Sequence, residues 1–421
     1  MVGRRRFVAT AGASVLAATA GCSGNDGSGD DGSGEANEPD IETTDGPAEF
    51  AVYDASWSDD TDVTVDTEST LDITVGNRGG EPGELEFRAA VESLESEAAP
   101  VVTAEASTIE EAVGSGETVT VTTETLTFGY AGRYEVTGAD GSGERIPIAD
   151  AADGAGEIEI LPRRASGETT QQLGNELRLA VDRVTFEQHL HYDTTVSAGF
   201  FGSTERVGVR SALDDQTLAL VHATVENAGN DGQTVDGSNF TFAGETPLQD
   251  LGGESLGSVR DVDGSSLRGA SVNPGSSVSG WLLFNVPRDA LGDASLAFHR
   301  DSTAAPEDVV WDVEIGEVDF PAFELVDTNV PSERAEGTQE FEFTIRNTGD
   351  GVGTFRGEVE WREGTSGEWE GLLEGNDRLS ARIPAGSETT VTTGSDNDEL
   401  STTYEYRFNP FGATFVIEAS E

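Results

Sequence analysis

Val221-His222-Ala223-Thr224-Val225-Glu226-Asn227-Ala228-Gly229 is written in a rhythm of two. Counting back from Asn227, positions two, four and six are Val225, Ala223 and Val221, all apolar, and the position three before it is Thr224. The same rhythm occurs twice more, in Leu71-Asp72-Ile73-Thr74-Val75-Gly76-Asn77-Arg78-Gly79 and Phe341-Glu342-Phe343-Thr344-Ile345-Arg346-Asn347-Thr348-Gly349. With 35% of the chain hydrophobic, nine apolar residues at nine such positions would arise by chance on the order of once in ten thousand windows. A period of two places the apolar set on one face of a pleated strand and the Thr set on the other. Each stretch is therefore predicted to be a half-buried strand, ended by an Asn-x-Gly turn in which Asn and Gly take up positive φ.

Working outward, each strand is followed by a Gly-led turn into another β-rich stretch: Gly116-Glu117-Thr118-Val119, Gly275-Ser276-Ser277-Val278 and Gly386-Ser387-Glu388-Thr389. The Asn-to-Gly separations are 39, 48 and 39 residues, and the longer middle unit has room for an insertion around Leu251–Gly264. No helical periodicity of useful length intervenes. The expected fold is all-β, three tandem immunoglobulin-like β-sandwiches at 48–162, 173–318 and 319–421. The polar run Arg163–Gln172 reads as a linker and Phe320-Pro321 as the second break. A chain of 421 residues has length for two to four domains at ~100–200 residues each.

The 80 acidic residues outnumber 24 basic ones, all of them Arg, for a net charge of -56. That excess makes nucleic-acid phosphates and anionic headgroups repulsive partners, so no nucleic acid is expected. Self-repulsion of this size opposes folding at low ionic strength and is screened at molar salt, where the Debye length is ~3 Å. The composition is similar to that of proteins from halophilic archaea. A single Cys excludes a disulfide framework, a Cys-based zinc site and an iron–sulfur cluster.

The N-terminus opens Arg4-Arg5-Arg6-Phe7, runs through a mildly apolar stretch to Ala20 and reaches Gly21-Cys22. That stretch is too short to span ~30 Å of hydrocarbon as a helix, so residues 1–21 read as a signal peptide. Arg4 and Arg5 with Phe7 resemble a twin-arginine export signal. Thr19-Ala20-Gly21-Cys22 resembles a lipobox, which implies lipidation of Cys22 and attachment to the membrane through that lipid. Residues 22–47 are rich in Gly, Ser, Asp and Glu and bury too little apolar surface to fold alone, which makes them a tether.

The first and third units resemble CARDB domains, adhesion-related immunoglobulin-like modules of cell-surface proteins. The likeness rests on the strand–Asn-x-Gly pattern, the Gly-led turn and closing strands at Gly132-Arg133-Tyr134-Glu135-Val136 and Gly412-Ala413-Thr414-Phe415-Val416. The middle unit, with Asn273-Pro274-Gly275 and Gly280-Trp281-Leu282-Leu283-Phe284, is similar to the extracellular immunoprotective type of immunoglobulin-like domain. These resemblances imply a fold rather than an activity.

Among chemistry-bearing residues, Glu187, His189, His191 and Asp193 would share one face of a strand, with Phe186, Leu190 and Tyr192 on the other. His189 and His191 are the candidate metal ligands, half of a zinc or copper site; the competing reading is a polar strand face open to solvent. His222 falls where the sister units carry Asp72 and Glu342, a solvent-facing slot. Loops at Gly229–Asp236 and Asp261–Gly264 offer hard oxygen ligands for calcium, although neither fits a 12-residue EF-hand loop. No other cofactor is expected. Asn239-Phe240-Thr241 is an acceptor pattern for glycosylation. Trp281 and Trp311 read as core; Trp361 and Trp369 read as core or rim, with stacking on a sugar as the rival. No Gly-x-Ser-x-Gly elbow or phosphate-cradling loop is present, no catalytic residue stands out, and no enzyme is expected.

The function expected is a lipid-anchored, non-catalytic adhesion or scaffold protein on the extracellular face of the membrane, meeting surface proteins or polysaccharides. The alternative is an accessory lipoprotein that holds a carbohydrate or metal for a partner enzyme or transporter.

Overall fold

The computed structural model describes residues 41–421, apart from 60–61, 106–111, 142, 150–155, 175, 198–202, 214, 252, 336, 365, 367–368, 372–377, 398–400 and 420–421. Cys22, Arg4 and Arg5 lie outside the described residues. The chain from Ile41 onward forms one compact unit made of three β-sandwiches.

The first sandwich faces a sheet of Phe50–Trp57, Leu71–Asn77 and Thr118–Thr122 against one of Glu157–Ile160, Gly132–Ala139, Arg88–Ser93 and Val102–Glu105. The second sets Leu177–Glu187, Gln216–Asn227 and Ser277–Pro287 against Val309–Asp312, Ser295–Phe298 and Phe240–Phe242. The third sets Phe323–Asn329, Gly337–Asn347 and Glu388–Asn397 against a sheet centred on Gly353–Glu363 and Tyr404–Asn409. The rhythm that opened the sequence analysis lies in the middle strand of the first-named sheet each time. Leu71, Ile73 and Val75, then Val221, Ala223 and Val225, then Phe341, Phe343 and Ile345 are all buried in their own cores. Each large side chain so buried contributes about 1.5–3 kcal/mol. Trp281 and Trp311 are buried as expected.

The two repeated motifs prove to be one device. Asn77, Asn227 and Asn347 are fully buried. Each Nδ2 donates to two carbonyls: Glu81 and Val113, Asp231 and Val272, Gly351 and Ile383, at 2.7–3.0 Å. Each Oδ1 accepts the N–H of the Gly two residues on. The backbone of each Asn then meets the distant Gly turn, because Gly116, Gly275 and Gly386 donate N–H to Asn77 O, Asn227 O and Asn347 O at 2.8–2.9 Å. The positive φ lies in those Gly turns, at +77°, +68° and +67°. Neither the Asn nor the near Gly has it, contrary to the reading from turn chemistry. The near Gly is required for closeness instead: a Cβ at Gly79 would sit 2.0 Å from Pro47 O, and one at Gly349 2.2 Å from Phe320 O.

One boundary moves. Arg163–Gln172 is no linker. Arg163–Ser166 pairs in parallel with Val309–Asp312, and Gln171–Gln172 pairs with Leu177–Glu187, so the middle sandwich begins at Arg163. The middle unit also carries more than the expected insertion. A hairpin, His189–Ser197 with Ser203–Ser211, joins the 248–262 segment over the outer face of the main sheet. There Leu190, Leu218, Leu220, Leu251, Leu256, Trp281 and Leu283 form a second core. Thr217–Ala223 is therefore buried on both faces. His222, expected in solvent, is buried and faces Thr185 Oγ1 at 3.0 Å.

Candidate functional site

The added hairpin is what joins the middle sandwich to the third. Gly353–Glu363 turns Phe355 and Val359 into its own core and presents Arg356, Glu358 and Glu360 on the other face, all buried. Three ionisable groups on one strand face remain buried only with partners. The middle sandwich supplies part of them, and the third sandwich's own Arg407 and Asn409 supply the rest. Arg356 Nη1 donates to Glu187 Oε2 and to His189 O, both at 2.8 Å. Arg206 Nη1 donates to Glu360 Oε1 at 2.7 Å. Glu360 Oε2 accepts Arg407 Nε and Asn409 Nδ2, each at 2.8 Å. The guanidinium groups of Arg362 and Arg407 lie over the Trp369 ring, 4.4 and 4.3 Å from its centroid, so the ring stacks on protein cations.

Glu358 differs from its neighbours. Asn409 Nδ2 donates to its Oε1 at 3.2 Å, the Val209 N–H also bonds it, and its Oε2 has no hydrogen-bond partner. Burial, followed by the charge of Glu360, raises its pKa to about 7, so it is largely protonated in weakly acidic solution.

His189 and His191 do share a strand face, and that face meets the third sandwich rather than solvent; both are buried. His189 packs on Phe323 and Phe355 with ring centroids 5.5 and 5.8 Å away, while its Nδ1 faces Ser211 Oγ at 3.0 Å. Burial first, then Arg356 and His191, lower its pKa to about 3, so it is neutral. His191 Nε2 faces Gly357 O at 3.0 Å, and a carbonyl only accepts, so Nε2 carries the proton. Its Nδ1 lies 3.2 Å from Asp261 Oδ2. Burial lowers the His191 pKa, against the raising effect of those two contacts. Asp193, the fourth residue of the expected face, pairs with Arg260. Among the described residues no group of three or more His, Cys, Asp or Glu side chains is placed to hold a metal ion.

The other expected site residues lie apart. Asp236 caps a short 3-10 turn, accepting Ser238 N–H at 3.0 Å. Asn239 is half-buried and its Nδ2 donates to Arg300 O at 3.1 Å, while Thr241 Oγ1 faces His299 Nε2 at 3.1 Å inside the sandwich.

The junction of the first and second sandwiches had no signal in the sequence. Asp308 is buried there. It accepts Ala131 N–H at 3.0 Å from the first sandwich and Arg300 N–H at 2.7 Å from the second. Its own carbonyl accepts Arg163 N–H at 3.0 Å. Burial raises its pKa, against those amide bonds. Arg300 lies over the Tyr130 ring at 4.9 Å, and Arg163 approaches Asp66 at 3.4 Å. Both junctions thus close on a buried carboxyl group that takes hydrogen bonds from the neighbouring sandwich.

Residues 177–308 match a family described as a domain of unknown function, DUF4352. The match covers the body of the middle sandwich, added hairpin included, and neither of its neighbours. No curated protein matches the chain. Among solved structures, the Escherichia coli adhesin FdeC is similar at 13% identity and a TM-score of 0.23, over 89% of this chain and 99% of that one. Domains 1–6 of the surface layer protein SbsC are similar at 12% identity and a TM-score of 0.14, over 88% of this chain and 54% of that one. Among the described residues, no helix is long and apolar enough to cross a membrane.

Proposed function

We propose that this chain is a non-catalytic interaction protein of the cell surface, anchored by lipid on Cys22 and made for high salt. In this reading the three sandwiches act as one body, held off the membrane by the acidic segment at 22–47, and offer their loops and strand edges to other surface molecules. The observation that supports it best is the pair of junctions. Each buries charge at a cost that only fixed geometry offsets, which suits display of a surface at a set orientation. The lipobox-like Thr19–Cys22 and the excess of acid over base add the anchor and the environment.

Fractionation of cells grown in molar salt tests this reading. Native protein is expected in the membrane fraction and open to external protease, and Cys22→Ser is expected to release it into the medium. Recovery of the native protein from the cytoplasm would overturn the proposal.

A further inference from the structure

Two grooves of one construction run along the open sides of the first and second sandwiches. The first holds about 330 Å³ and lies between Ala55–Trp57 and Glu157–Leu161. The second holds about 720 Å³ and lies between Val181–Phe186 and Asp312–Val318. Both volumes are of the size that ligand clefts commonly have. Each groove follows the leading strand of its sandwich beyond a bulge, at Val52/Asp54 and at Val181/Arg183.

The bulges explain why the edges are open. Before them, the outer edge is taken: Val52 N–H donates to Pro147 O, and Val181 N–H donates to Gly167 O, both at 2.8 Å. After them, Asp54–Trp57 and Arg183–Glu187 pair, among the described residues, only on their inner sides, with Leu71–Thr74 and with Leu218–His222. A strand edge with free N–H and C=O groups is a template for another strand. Half-buried Trp57, with Ile158, floors the first groove, and Val184, with Val313, floors the second. Carboxylates rim both: Glu157 and Glu159 in one, Asp182 and Glu314 in the other.

We propose that these two edges take up an extended segment of another protein in which apolar residues alternate with basic ones. Its backbone adds a strand to the free edge. Alternate side chains then point down to the apolar floor and out to the carboxylate rim. Charge selects the occupant. A second copy at -56, or this chain's own acidic residues 22–47, would bring like charge to the rim, and a basic segment brings the opposite. The proposal names a partner class for the interaction role above and rests on that reading.

The test titrates the intact chain, in molar NaCl, with a synthetic peptide of alternating valine and arginine, followed by calorimetry and tryptophan emission. Two saturable sites per chain are expected, and the matching valine–glutamate peptide is expected not to bind. Ala55→Pro and Val184→Pro each take an outward N–H from one edge, since their partners Ile73 and Val221 bond the strand on the far side, and should each abolish one site, with at least a ten-fold loss of affinity there. Where a proline variant loses its folded circular dichroism, Ser56→Arg and Val184→Glu replace it: each is expected to weaken its own groove alone, and no weakening would overturn the proposal. Absence of binding to the native chain, or retention of both sites in both folded proline variants, would overturn it. So would concentration-dependent dimerisation in sedimentation that the same variants abolish, which would make a second copy the occupant. The groove is tested by the titration alone and the surface reading by the Cys22→Ser fractionation alone, so failure of one leaves the other standing.

Discussion

Arg206 Nη1 and Glu360 Oε1 lie 2.7 Å apart, one from the added hairpin of the middle sandwich and the other from the central strand of the third. Glu360 is 4% exposed and Arg206 24%. The pair therefore sits where water screens little; loss of Arg206 empties Glu360 Oε1 and leaves the carboxylate to Arg407 and Asn409 on its other oxygen.

Arg206→Ala is expected to cost about 1–2 kcal/mol, less than a buried pair broken outright, because Arg407 still neutralises Glu360. A double-mutant cycle with Glu360→Gln should return a coupling of more than 1 kcal/mol. The loss should appear also as a larger radius of gyration in solution scattering, because the bond joins two sandwiches. A coupling near zero would show that the contact is incidental.

The buried Asn of each sandwich makes a second prediction. Asn347 accepts from Gly349 N–H and Ala322 N–H and donates to Gly351 O and Ile383 O. Asn347→Ala orphans those four backbone groups and is expected to destabilise the third sandwich by about 3 kcal/mol, read from denaturant unfolding in molar salt. Asn347→Asp, which supplies no donor when ionised, should do no better at neutral pH. A loss below about 0.5 kcal/mol for either, the size of an ordinary surface change, would contradict the stapling role.

Acidity acts on the second junction in two directions. Glu358 has a folded pKa of about 7, above its ordinary 4.5, so the folded state holds more protons than the unfolded one between those values. Its contribution is complete below pH 4.5 and is lost as pH rises through 7. His189 has a folded pKa of about 3, below 6.5, so its contribution is complete above pH 6.5 and is lost as pH falls toward 3. Stability of the junction should peak between these limbs. The two effects oppose each other from pH 4.5 to 6.5, so the native profile is nearly flat there. Glu358→Gln should remove the fall and leave a rise up to pH 6.5, the difference from the native protein changing by about 3 kcal/mol between pH 4.5 and 7. Unfolding midpoints measured from pH 4 to 9 check this, and an unchanged profile would refute it.

Low salt should unfold the chain. At ~0.01 M the Debye length is ~30 Å, and the excess of 80 acids over 24 arginines repels across whole sandwiches. Near-UV circular dichroism is expected to disappear on dialysis from molar to millimolar NaCl and to return on reversal. A spectrum that ignores the dialysis would remove the high-salt reading.

The strands ending at Asn77, Asn227 and Asn347 were legible because their apolar positions alternate into one core, even though the outer face of the Asn227 strand is also covered as far as Ala223. The purpose of the Asn was not legible. Its partners at Val113, Val272 and Ile383 lie 36–45 residues away, and turn chemistry considers only neighbours. His189 and His191 were placed on one face correctly, yet their burial was hidden: what covers them, Phe355 and Gly357, is supplied by another sandwich. The polar Arg163–Gln172 run looked like a linker since edge strands need no apolar alternation. Asp308 left no trace in the sequence, being one acid among 80.

The parallel ladder between Arg163–Ser166 and Val309–Asp312 has a mechanical meaning. The chain enters the middle sandwich by the first of these strands and leaves by the second. Tension between a tethered start and a loaded end would pull them past each other lengthwise, so their bonds must yield together rather than peel off singly. Parallel bridges at Thr64–Leu161 and Glu333–Glu418 repeat the arrangement in the neighbours. Under drag, such a molecule gives way by shear, and its lifetime is set by an unfolding rate rather than by equilibrium stability.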